Sequence, residues 1–68
     1  MEILTINGVE TQFDTLPETL KQLLSQMEIN EATVVAEING EIVAREKFDQ
    51  TALSSGQTIE LIRFIGGG

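Results

Sequence analysis

Two Asn-Gly pairs, Asn7-Gly8 and Asn39-Gly40, restrict the fold of this chain more than any other feature. Both residues of such a pair tolerate positive φ, which a two-residue type I′ turn between antiparallel strands requires. Residues 2–6 before the first pair have the composition of a strand, and residues 9–13 after it alternate apolar and polar side chains. The chain is therefore predicted to open with a β-hairpin.

The second Asn-Gly pair predicts another turn between short strands. Three more strands are expected, formed by residues 33–38, 41–44 and 58–65. Between the last two of these, residues 45–55 are polar apart from Phe48 and Leu53. We expect an irregular connection there, with one short helical turn.

A single helix is predicted between the opening hairpin and the third strand. Thr15 can cap its start, Pro17 suits a first turn, and Glu18 stands where a capping box needs an acidic residue. Apolar side chains then recur at helical spacing and form one stripe, made by Leu16, Leu20, Leu23, Leu24 and Met27. Such a stripe predicts a helix face that packs on a core.

This order of elements predicts an α+β fold of the β-grasp type. A hairpin, one main helix packed across it and further strands would complete a mixed sheet of about four to five strands. With 68 residues the chain has room for one domain, which we assign to residues 1–65. Residues 66–68 are expected to form a flexible glycine tail, because they have nothing to bury.

Composition removes several classes of function. The chain has no cysteine and no histidine, which excludes disulfides, Cys/His zinc sites and Cys or His nucleophiles. Glu37, Glu41 and Glu46 are scattered along turns, and we interpret them as solvated surface and not as a metal site. So small a domain has little room for a deep substrate cavity, and an enzyme is not expected.

The net charge of −7 bears on partners. It would repel nucleic acid and steer the protein toward a basic protein surface, or it merely keeps a small domain in solution. No basic start and no long apolar run is present, so we expect neither a signal peptide nor contact with a membrane, and a cytoplasmic location.

The sequence ends in Gly66-Gly67-Gly68, which has two interpretations. It can be a frayed terminus without a role. Alternatively, it can be a reactive end, because a carboxylate becomes an electrophile once ATP converts it to an acyl-adenylate. Glycines would let such an end enter a narrow active site, since they have no side chain to block it and few restrictions on φ and ψ.

Four segments resemble the β-grasp sulfur carriers, and among these the carriers of thiamine (thiazole) biosynthesis most closely. They span the whole chain: residues 4–8, 35–45, 56–61 and 64–68. Members of that family usually carry Asp where this chain has Gln57, which is a loop position. The related small subunit of molybdopterin synthase and a ubiquitin-like modifier or binding module remain alternatives.

The resemblance implies a carrier, not an enzyme, that binds no cofactor itself. An adenylyltransferase of the ubiquitin-activating type, using ATP and Mg²⁺, would adenylate Gly68 while Gly66 and Gly67 enter its active site. A persulfide donor protein would supply sulfur, leaving a thiocarboxylate from which thiazole synthase takes it. The carrier alone is expected to be a monomer.

Alternation in the last strand predicts a partner surface. If Ile59 and Leu61 face the core, Ile62 and Phe64 lie on the opposite side, beside the tail. We expect two further residues to complete this patch, namely Ile65 and Ile3, the latter if Leu4 and Ile6 face inward. The opposite assignment, in which these residues belong to the core, remains open, as do the roles of Arg45 and Arg63.

Overall fold

A computed structural model of the protein describes residues 1–64. The predictions for Ile65 and for Gly66, Gly67 and Gly68, including the domain boundary and the flexible tail, lie outside the described residues. Within them the chain forms five strands, one α-helix and two 3₁₀ helices. In chain order these are β1 (Glu2–Ile6), β2 (Val9–Phe13), α1 (Leu20–Gln26), a first 3₁₀ helix (Glu31–Thr33), β3 (Val34–Ile38), β4 (Glu41–Val43), a second 3₁₀ helix (Arg45–Gln50) and β5 (Thr58–Arg63).

The five strands form one mixed sheet in the order β2-β1-β5-β3-β4, so the predicted β-grasp fold is confirmed. β5 pairs in parallel with β1 and antiparallel with β3. The last strand of the described residues is therefore the central strand of the sheet. It joins the hairpin β1–β2 to the hairpin β3–β4.

Both Asn-Gly turns have the predicted backbone conformation. The φ angles are 50° at Asn7 and 83° at Gly8, and 51° at Asn39 and 85° at Gly40. Positive φ at both central residues is the signature of a type I′ turn. The two turns fix the register of their hairpins, with Ile6 opposite Val9 and Ile38 opposite Glu41.

The predicted start of the helix at Thr15 is wrong, because α1 begins at Leu20 with Thr19 as its N-cap. The Thr19 side chain accepts a hydrogen bond from the Gln22 backbone N–H at 3.2 Å. The backbone before Leu20 cannot be helical, since the Leu20 N–H donates to the Thr51 carbonyl at 2.9 Å and Thr19 forms an antiparallel β-bridge with Ala52. The helix can therefore begin only after this contact.

The core lies between α1 and the inner face of the sheet. The helix contributes Leu20, Leu23 and Leu24, whereas Leu16 is only partly buried and Met27, the C-cap, is 40% exposed. Phe48 in the second 3₁₀ helix is 1% exposed. The segment predicted to be irregular thus supplies the largest fully buried side chain among residues 1–64.

Phe48→Ala should lower the free energy of unfolding by about 3–5 kcal/mol, because it removes a fully buried aromatic ring and leaves a cavity. Chemical denaturation with urea measures the change. The matched control is Ile42→Ala at a position that is 71% exposed, where about 0.5 kcal/mol or less is expected. Equal losses at the two positions would contradict the described core.

Candidate functional site

β5 presents different side chains to the two faces of the sheet. Ile59 and Leu61 are 0% and 6% exposed and belong to the core, whereas Ile62 and Phe64 are 51% and 50% exposed. The predicted alternation of this strand is therefore confirmed. Two large apolar side chains lie at its end on the face that the helix does not cover.

The end of β5 is held by backbone pairing beyond its last strand residue. Arg63 lies opposite Val34, and the Phe64 N–H donates to the Thr33 carbonyl at 2.8 Å. The strand itself ends at Arg63 and not at residue 65 as predicted. The glycine segment therefore follows a point that is fixed against the start of β3.

The face of the sheet that the helix does not cover, which we call the open face, carries an apolar patch near the end of β5. Val35 lies directly opposite Ile62 on the neighbouring strand, and its side chain is half-buried. Phe64 follows Ile62 by two residues, and its backbone is hydrogen-bonded to that of Thr33. Its side chain therefore lies on the same face as that of Ile62. We call Val35, Ile62 and Phe64 the tail-side patch.

Ile3 does not belong to the tail-side patch, contrary to the prediction. It lies on the open face, since Leu4 and Ile6 are buried, but the parallel register places Thr5 beside Thr58. Ile3 is therefore level with Gly56, two residues before β5 begins, and its carbonyl accepts from the Gly56 N–H at 2.7 Å. At about 3.3 Å per residue, Ile62 lies roughly 20 Å further along the sheet.

The side chains of both turn asparagines form hydrogen bonds with the backbone of β5. The Asn-Gly pairs predicted the turns but not these hydrogen bonds. Asn7 Oδ1 accepts from the Leu61 N–H at 2.7 Å, and Asn7 Nδ2 donates to the Leu61 carbonyl at 3.4 Å. Asn39 Oδ1 accepts from the Thr58 N–H at 2.9 Å on the other side. Because β1 is shorter than β5, the Asn7 amide continues the β1–β5 pairing past the end of β1.

Two arginines lie close to the start of β3, near the base of the tail. Arg45 Nη2 donates to the Ala32 carbonyl at 3.3 Å, and Arg63 is the partner of Val34 in the β3–β5 pair. In residues 1–64 no group of three or more Asp or Glu side chains is arranged to hold a metal ion. The described helices include none long and apolar enough to cross a membrane.

The sequence matches the ThiS family over residues 2–68. It is 29% identical over 66 residues to the sulfur carrier protein ThiS of Bacillus subtilis strain 168, covering 97% of this chain and 100% of that protein. It is also 37% identical over 65 residues to a thiazole synthase of Paramagnetospirillum magneticum, covering 96% of this chain. The match spans only 20% of that longer protein.

Two solved structures of a thiamine biosynthesis protein (ThiS) from Geobacter metallireducens share the fold. The crystal structure superposes with a TM-score of 0.81 at 37% identity and covers 97% of this chain and 99% of the other. The solution structure gives a TM-score of 0.78 at 37% identity, with 100% and 88% covered. The five-stranded sheet with its single main helix is thus the arrangement of these relatives.

Asn7→Gly should lower the free energy of unfolding by about 1–3 kcal/mol, because it keeps the turn conformation but leaves the Leu61 backbone groups without partners. Asn39→Gly is the matched control, since it carries the same entropic cost and removes one bond at an exposed position. Urea denaturation should show the larger loss for Asn7→Gly. A larger loss for Asn39→Gly would contradict the role of the Asn7 amide.

Proposed function

Because the chain belongs to the ThiS family, we propose that it is a sulfur carrier of thiamine biosynthesis and that it acts through its glycine carboxyl. The observation that carries the proposal is the sequence position of Gly66-Gly67-Gly68, which begin three residues after Arg63, the last residue of the central strand. A carrier that holds sulfur on its own carboxyl needs no cysteine, and this chain has none.

The chemistry begins at the Gly68 carboxylate. An oxygen of this group attacks the α-phosphate of ATP in the active site of an activating enzyme, where Mg²⁺ balances the phosphate charge and pyrophosphate leaves. The product is an acyl-adenylate, whose carbonyl carbon is electrophilic because AMP is a good leaving group. The carrier contributes the carboxyl, and the partner supplies ATP and Mg²⁺.

Sulfur then replaces AMP at the same carbon. The terminal sulfur of a cysteine persulfide on a donor protein attacks the carbonyl and AMP leaves, which forms an acyl disulfide. A second thiol cleaves the S–S bond by thiol–disulfide exchange. This step leaves the thiocarboxylate on Gly68 and a disulfide between the two thiols.

The described residues provide a fixed base for these steps. β5 is paired on both sides, so the residues that precede the glycines in the sequence belong to the most constrained strand of the sheet. We propose that Ile62 and Phe64, together with Ile65, bind the activating enzyme while Gly66 and Gly67 enter its active site. Glycines fit a slot that admits only backbone.

Thiazole synthase is the proposed acceptor of the sulfur. The support is the thiazole synthase of P. magneticum, one part of which is 37% identical to this chain over 65 residues. Joining the two in one protein raises their effective concentration, which benefits partners that must meet repeatedly. We further propose that the carrier is not an enzyme, that it works in the cytoplasm, and that it is a monomer between partners.

Deletion of Gly68, or Gly67→Val, should abolish adenylation and leave the melting temperature almost unchanged. The deletion shortens the reach of the chain by about 3.5 Å, and a misplacement of only about 1 Å can cost roughly a hundredfold in rate. Valine adds a branched side chain and restricts the backbone. Pyrophosphate exchange with the activating enzyme measures the first effect, and a thermal melt measures the second.

If both tail variants exchange pyrophosphate at the rate of the parent chain, the tail is not the reactive element. The carrier mechanism would then have to be abandoned in favour of a binding module.

Ile62→Glu and Phe64→Glu should each weaken binding to the activating enzyme more than they weaken the fold, because both side chains are half exposed on the open face. Val9→Glu is the matched control, since Val9 is 64% exposed but lies on the helix side of the edge strand β2. Titration of binding beside a thermal melt separates the effects. Equal binding by all three variants would rule out the tail-side patch as the docking site.

A further inference from the structure

The charged side chains are divided unequally between the two faces of the sheet. Alternation with buried neighbours places three carboxylates on the open face, those of Glu10, Glu37 and Glu60. None of the four Lys and Arg residues of the chain occupies an open-face strand position. Lys21 lies in α1, and Arg45 and Lys47 lie in the second 3₁₀ helix. Arg63 lies in β5 on the face of the sheet that packs against α1.

Two of these carboxylates are direct neighbours. Glu37 on β3 lies opposite Glu60 on β5, where Cβ atoms are typically about 4.5–5.5 Å apart, and both side chains are half-buried. Like charges at such a pair of positions destabilise a sheet. In the described part of the chain the salt bridge joins Lys21 and Glu31, and no cation pairs with Glu37 or Glu60.

The acidic pair borders the tail-side patch. Along β3 and β5 the next open-face pair toward the tail is Val35 opposite Ile62, and on the far side Glu37 faces Ile42 of β4. Ile42 is 71% exposed. An apolar pair, an acidic pair and an exposed isoleucine thus form one continuous surface that leads to the base of the tail.

We infer that this surface docks on the activating enzyme through an arginine or lysine of the enzyme that inserts between Glu37 and Glu60. This inference rests on the proposed function, since it names what recognises the carrier next to its reactive end. The apolar part of the enzyme contact covers Val35 and Ile62, and the stem of the cation packs on Ile42.

Charge complementarity favours an arginine or lysine of the enzyme as the group that binds between Glu37 and Glu60. One cation shared by two carboxylates relieves a repulsion that the free carrier retains, so binding gains from an interaction that the fold alone lacks. A second copy of the chain would set the same acidic pair against itself in a two-fold contact, which disfavours self-association through this face. Charges at the rim of a contact also speed association at low salt.

The double variant Glu37→Gln with Glu60→Gln tests the inference. Pyrophosphate exchange at low salt should show KM for the carrier raised by about tenfold with kcat unchanged, because electrostatic steering commonly changes association rates by about 10-fold or more. The difference should shrink at high salt, where exposed charges are screened. The melting temperature should stay the same or rise, since the repulsion is gone.

Glu10→Gln is the matched control, because it neutralises an open-face carboxylate on β2, away from the patch. Its KM should rise by about twofold or less, since Glu10 lies two strands away from Glu60 and contributes long-range attraction but no direct contact with the inserted cation. Glu37→Lys is a second variant, which should raise the melting temperature by pairing with Glu60 and still raise KM. This opposition of stability and binding is not expected of a merely structural pair.

Three results would overturn the inference. In the first, the double variant keeps the parent KM at low salt. In the second, its KM rises no more than that of Glu10→Gln. In the third, its KM rises only because its melting temperature falls and part of the protein is unfolded in the assay. Absence of exchange by the parent chain itself would instead remove the proposed function, and this inference with it. Exchange by the parent chain with normal KM in the double variant would leave the proposed function standing and remove the inference alone.

Discussion

The backbone pairing of β5 with both β1 and β3 is the interaction on which the rest of the structure depends. Without it the two hairpins would be separate two-stranded units, which are marginally stable in water. With it they become one sheet of five strands that α1 can cover. Since β5 is also the last strand of residues 1–64, the element that completes the sheet is the one that precedes the glycines in the sequence.

The two faces of β5 have different roles. Ile59 and Leu61 close the core against the helix, while Ile62 on the other face stays available to a partner. The Asn7 and Asn39 amides hold the same strand from either side, so the turns that define the hairpins also fix β5. We propose that such a base serves the glycines, because a partner that binds the domain then meets the end of β5 at a reproducible point.

Much of this architecture could be predicted from the sequence because its signals are local. The Asn-Gly pairs gave both hairpins, and alternation in the last strand gave the orientation of Ile62. The helix start was misplaced because Thr15-Leu-Pro-Glu and Thr19-Leu-Lys-Gln are both capping patterns, and only the contact of Leu20 with Thr51 selects the second. Ile3 was assigned to the wrong end because its distance from Ile62 depends on the parallel register of β1 and β5, which has no local signal.

We propose that the glycine carboxyl carries sulfur, and intact-mass analysis is the most direct test of this step. The full chain is incubated with ATP, Mg²⁺, the activating enzyme and a persulfide donor. We expect a product heavier by the difference between one sulfur and one oxygen atom, with the change located by fragmentation at Gly68. An unchanged mass under conditions in which the activating enzyme modifies a known carrier, or sulfur placed elsewhere in the chain, would contradict it.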